Sequence, residues 1–186
     1  MKGTRAFIAA DISNKNAIGK LQQELFQVAG WHDYDVRPVE KQNLHFTLFF
    51  LNEIDLATIE IIKNKLSDLN FEPIKITYSG LGGFPSSNLA NVIWVGVDEQ
   101  GNRRLVSLAE SVTSKIKDIG ISPDKPFMPH ITIFRVRRKR FRLEGILSRY
   151  SAKTFGADVI EKISLKSSTL TSLGPSYSDV FTVHAK

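Results

Sequence analysis

The chain contains no cysteine, so disulfides, thiol nucleophiles and thiolate metal sites are excluded. It has only four histidines, His32, His45, His130 and His184. A histidine-rich metal centre would need nearly all of them. Long apolar runs are also missing. Ile8–Ala10 and Phe46–Leu51 are far too short to span a bilayer. The apolar stretch after Lys2 and Arg5 stops at Asp11, which is no secretory signal, so a cytoplasmic location is expected. Of the 186 residues, 42% are hydrophobic and 24% are charged, which fits a folded soluble chain rather than a disordered one.

Charge is present but local. The net charge is +6, and six of the eight residues from Arg135 to Arg142 are basic. Setting those six aside from the 25 lysines and arginines leaves 19 against 19 acidic residues. Such a concentrated patch favours a partner carrying phosphates.

Apolar periodicity predicts alternating strands and helices. Lys2–Ala10, Leu44–Leu51, Pro73–Tyr78, Asn91–Val97, His130–Val136, Ile160–Lys166 and Val180–His184 are expected strands. Helical stripes run through Ile18, Leu21, Leu25 and Val28, ending at Gly30, and through Leu56, Ile59, Ile62, Leu66 and Leu69 behind an Asp55 cap. A third stripe covers Leu105 to Ile119 and ends at Gly120, and Leu143–Ala152 is a further expected helix. Gly80–Asn88 is expected to be a loop, and Asp98–Asn102 a turn. No flexible linker divides the chain. The pattern predicts one mixed α+β domain over residues 1–186.

Two His-x-Thr tripeptides stand out within these strands, in the segments His45-Phe46-Thr47-Leu48 and His130-Ile131-Thr132-Ile133. Side chains alternate along a strand, so His45 shares a face with Thr47, and His130 with Thr132. Two imidazoles and two hydroxyls suit acid–base cleavage of a phosphodiester. One neutral imidazole takes a proton from water, the other, protonated, gives one to the leaving oxygen, and the hydroxyls donate to phosphate oxygens. No Asp or Glu stands at ligand-like spacing in either tripeptide, so neither a metal nor another cofactor is expected.

The paired motifs resemble the two-histidine (2H) phosphoesterase superfamily. Within it, the chain is similar to the RNA 2′,3′-cyclic phosphodiesterases, also called the 2′-5′ RNA ligase family. The supporting strings include Arg5-Ala6-Phe7-Ile8-Ala9, Gly83-Phe84-Pro85, Val92-Ile93-Trp94-Val95-Gly96-Val97, Phe127-Met128-Pro129-His130, Ser168-Thr169-Leu170 and Gly174-Pro175-Ser176-Tyr177. The resemblance implies a bilobal α+β fold, with two pseudo-symmetric lobes whose antiparallel sheets line a central cleft and whose helices lie outside. It implies hydrolysis of a terminal 2′,3′-cyclic phosphate to a 2′-phosphomonoester. His45 would be the proton donor, His130 the proton acceptor, and Thr47 and Thr132 the phosphate contacts. One departure is Asn91, where the family often has arginine before the Val-x-Trp strand.

Arg135 stands five residues after His130, at a position commonly arginine in that family, and its planar fork suits phosphate. Strict alternation puts it on the Ile131 and Ile133 face, so it reaches the cleft only if the strand ends or bulges first. The run Arg137–Arg142 is expected to attract an RNA backbone without reading sequence. His32 and His184 match no motif and are expected at the surface. The expected partner is RNA with a cyclic phosphate end, with no membrane and a monomeric chain. The rival readings are a relative acting on small cyclic nucleotides or 2′-5′ linkages, a ligase in vitro, and a non-catalytic RNA-binding module.

Overall fold

A computed structural model describes residues 3–87, 89–123, 125–137, 143–172 and 174–186. The basic residues Arg138–Arg142 therefore lie outside the described residues. The strands and helices follow in the order β1 (Thr4–Asp11), α1 (Lys15–Ala29), β2 (Val36–Pro38), β3 (His45–Ile54), α2 (Leu56–Ser67), β4 (Ile74–Phe84), β5 (Val92–Val97), α3 (Glu99–Ile116), β6 (Ile131–Val136), α4 (Glu144–Tyr150), β7 (Thr154–Ile160), β8 (Lys162–Thr171) and β9 (Gly174–His184). Two antiparallel sheets result, one ordered β3-β1-β8-β9 and the other β2-β6-β5-β4-β7. This is the expected α+β architecture. Among the described residues no helix is long and apolar enough to cross a membrane.

Local chemistry sets the element ends. The Asn14 side chain accepts a hydrogen bond from the Ala17 amide and caps α1, and Gly30 closes that helix in the left-handed conformation at φ 63°. Asp55 accepts from the Thr58 amide at 2.8 Å, as its position predicted. Leu56 is nevertheless exposed, because it occupies the first helical position; Ile59, Ile62 and Leu66 carry the buried stripe.

Several expectations are corrected. Asp98 is a helix cap rather than the start of a turn, and α3 begins at Glu99. The Gly80–Asn88 segment is strand through Phe84, because β4 bulges at Gly80 and continues against β5. Gly82 belongs in that strand for a packing reason: a Cβ there would lie 2.0 Å from the Trp94 ring. The short strand β2 and most of β7 lie where the sequence shows no strand pattern. Both borrow their regularity from neighbouring strands rather than from apolar alternation.

The two sheets share one continuous apolar core. In β1, Ala6, Ile8 and Ala10 enter it, while Phe7 and Ala9 are buried on the opposite face and stand outside it. In β8, Ile163 and Leu165 enter the core, while Ser164, Lys166 and Ser168 alternate with them. On β8 the face turned away from the core thus carries polar side chains.

Candidate active site

His45 opens β3 at the edge of its sheet, and His130 directly precedes β6 in the other sheet. Both imidazoles, with Thr47 and Thr132, line one cleft of about 530 Å³. The structure thus brings together all four residues singled out from the two tripeptides.

Each ring is held in the same way. His45 Nδ1 lies 2.8 Å from the Asn43 carbonyl, and His130 Nδ1 lies 2.7 Å from the Met128 carbonyl. A carbonyl only accepts, so each Nδ1 carries the hydrogen and donates it. In the neutral ring this leaves Nε2 as the acceptor. His45 Nε2 lies 3.1 Å from the Thr47 hydroxyl, which donates to it. Aromatic rings fix the imidazole planes. Phe7 stacks on His45 at 5.0 Å, and Tyr177 meets both rings edge-on. Phe84 and Trp94 pack edge-on against His130 at 5.0 and 6.1 Å.

Burial is the main cause of a depressed His45 pKa, which falls to about 4; the nearby Lys166 charge pushes it the same way. Burial also lowers His130, against the opposing bond to Met128. Both free rings are therefore neutral at neutral pH. Lys166 bonds to Asp179 and lies 2.9 Å from Asp11, which also accepts from the Ser164 hydroxyl at 2.7 Å. Burial alone would lower the Lys166 pKa, but its two carboxylate partners raise it, so a cation persists near His45.

Arg135 lines the cleft despite the alternation rule. Pairing of β5 with β6 runs Ile93 with Phe134, then Trp94 with Thr132, so Ile133 is an extra residue. Ile133 and Phe134 both turn inward, and Arg135 emerges on the side of Thr132. The first motif bulges at the same point. Ile8 pairs with Phe49 and Ala9 with Thr47, leaving Leu48 as the extra residue. Phe50, five residues after His45, consequently enters the cleft with 64% of its surface exposed.

Phe50, Arg5, Asn52 and Tyr177 are cleft residues that sequence reasoning did not assign. Applying the five-residue offset of Arg135 to the first motif would have found Phe50. Asn91 does not line the cleft; its backbone bonds to Phe84 and Val136. His32 and His184 are exposed, as expected. Among the described residues, no group of three or more His, Asp or Glu side chains is arranged to hold a metal.

Comparison with known proteins gives one consistent result. The family described as LigT like Phosphoesterase matches the chain twice, over residues 12–94 and 95–177, one motif in each half. A protein from Archaeoglobus fulgidus named RNA 2′,3′-cyclic phosphodiesterase is 38% identical over 178 residues, covering 95% of this chain and 97% of that one. A protein of the same name from Aquifex aeolicus is 45% identical over 148 residues, covering 76% and 78%. The fold is similar to Escherichia coli LigT complexed with 3′-AMP, with a TM-score of 0.76, 21% identity and 99% of each chain covered.

Proposed function

The chain belongs to the LigT-like phosphoesterase family, and from that premise we propose that it hydrolyses the 2′,3′-cyclic phosphate end of RNA to a 2′-phosphomonoester. The observation that carries this reading is the meeting of two Nδ1-anchored imidazoles and their threonines in one cleft.

The cyclic phosphate sits between the two rings. His130, with Nε2 unprotonated, takes a proton from water as the water oxygen bonds to phosphorus. The bond from phosphorus to the ribose 3′-oxygen breaks, and His45 gives its Nε2 proton to that oxygen. The 2′-oxygen keeps the phosphate. Thr47, Thr132 and Arg135 hold the non-bridging oxygens, where charge gathers in the transition state. Phe50 offers a face on which the terminal base stacks.

His45 must be protonated to act as the acid, yet its free pKa is about 4. The bound phosphate anion supplies the opposite charge that favours the imidazolium. The acid is thus armed by the substrate, and the Thr47 hydroxyl is freed from Nε2 to donate to phosphate instead. This route uses no metal.

The test is an RNA ending in 2′,3′-cyclic phosphate, incubated with chelator present. The expected product is the 2′-phosphate end. His45→Ala and His130→Ala each lower the rate by about 10²–10⁴-fold. Survival of the cyclic end with the native protein, or full activity in either variant, would sink the proposal.

A further inference from the structure

The cleft extends past the residues assigned to the terminal phosphate. Along β1, Arg5 lies four residues from Ala9, the residue paired with Thr47, a separation of about 13 Å. Arg5 lines the same cleft, and Ser168 on β8 is its direct cross-strand neighbour. On one side of Arg5 lies Phe50 of β3, and on the other Leu170 of β8, respectively 64% and 76% exposed. A cation flanked by exposed apolar surface on adjacent strands is the arrangement that binds single-stranded nucleic acid, phosphate on the charge and bases on the apolar faces.

Arg5 is also available. Glu53 is its partner across the β1–β3 pairing, yet among the described residues no carboxylate forms an ion pair with Arg5. It contrasts with Lys166 on the same face, which is buried and held by two carboxylates. Lys166 is committed to the fold, whereas Arg5 holds its charge open to the cleft.

We propose that Arg5, with Ser168 and Leu170, forms a second subsite that takes a backbone phosphate and base of the RNA strand inward of its cyclic end, and so selects oligomers over cyclic mononucleotides. The subsite rests on the RNA cyclic phosphodiesterase reading. The guanidinium pairs with the internucleotide phosphate, the Ser168 hydroxyl donates to the same group, and Leu170 packs against the upstream base. A mononucleotide ends before this region and gains nothing from it.

The experiment compares adenosine 2′,3′-cyclic phosphate with a five-nucleotide RNA ending in the same cyclic adenosine. The native protein is expected to favour the oligomer by about tenfold or more in kcat/KM. Arg5→Gln removes most of that preference through KM, while mononucleotide turnover changes by less than about twofold. The salt dependence of oligomer binding, followed by fluorescence anisotropy with the 2′-phosphorylated five-mer, loses about 0.7 in its log–log slope. Ser168→Ala gives a smaller loss of the same kind. Equal losses on both substrates, or an unchanged preference, overturn the subsite. If the native protein cleaves neither substrate, the parent reading has failed. Binding then decides this proposal alone: equal affinity and salt slope in native and Arg5→Gln proteins overturn it, and a weaker, flatter response upholds it.

Discussion

At the scale of single residues, His45 carries an energetic cost that its chemistry requires. The aromatic pocket of Phe7 and Tyr177 excludes water from the ring and holds its pKa near 4. In the unfolded chain the same ring titrates near 6.5. Below that pH the unfolded state binds a proton that the folded state refuses, so stability falls as pH drops from about 6.5 toward 4. The slope is about 1.4 kcal/mol per pH unit, giving on the order of 3 kcal/mol across the interval. Urea unfolding at pH 7 and pH 4.5 measures it. His45→Gln is expected to lose less stability between those two values than the native protein. Identical losses would mean that the folded ring takes its proton freely. His130 is lowered in the same direction, so the variant flattens the response without abolishing it.

At the scale of elements, the strands around the site owe their function to irregularity. The partnership of His45 with Thr47, and of His130 with Thr132, was legible because a two-residue offset needs only local alternation. The position of Arg135 was not, because a bulge is a property of two strands and only one is visible in a local reading. The same limit hid β2 and the continuation of β4 past Gly80. The bulge in β6 has an identifiable support. The Ile133 carbonyl accepts from the Val39 amide at 2.9 Å and from Gln22 Nε2 at 2.8 Å; the same Nε2 also donates to the Val39 carbonyl at 2.9 Å. Gln22 is a buried polar residue on the otherwise apolar face of α1. Replacing it with Leu leaves those carbonyls short of a donor, costing about 1–2 kcal/mol. Arg135 then loses its fixed exit from the strand, and kcat is expected to fall about tenfold, one such factor being 1.4 kcal/mol in the barrier. Native kcat in Gln22→Leu would show that the bulge stands without this support.

At the scale of the whole molecule, the cleft exists only if the two sheets keep a fixed separation. Each sheet supplies one histidine, so a small relative shift misplaces acid against base. The join runs through Asp158 on β7. Its Oδ2 accepts from the Ser13 amide at 3.0 Å, from the Asn14 amide at 2.9 Å and from the Tyr78 hydroxyl. Ser13 and Asn14 form the link by which the chain leaves β1 in one sheet and enters α1, which packs on the other. Asn14 adds a side-chain bond to the Ala157 carbonyl at 3.0 Å. One buried carboxylate thus fastens the β1 exit of the first sheet to two strands of the second. These partners lie between 80 and 145 residues apart in sequence, which is why no local pattern marks Asp158. Asp158→Ala leaves two amides and a buried hydroxyl without their acceptor, and is expected to cost about 3 kcal/mol in urea unfolding. Tyr78→Phe removes a single bond of the set and costs about 1 kcal/mol. Because the lesion alters the separation of the histidines and leaves the subsites themselves intact, Asp158→Ala lowers kcat on cyclic mononucleotide and cyclic-ended oligomer by the same factor. A selective loss on the oligomer would place Asp158 in strand binding rather than in holding the sheets.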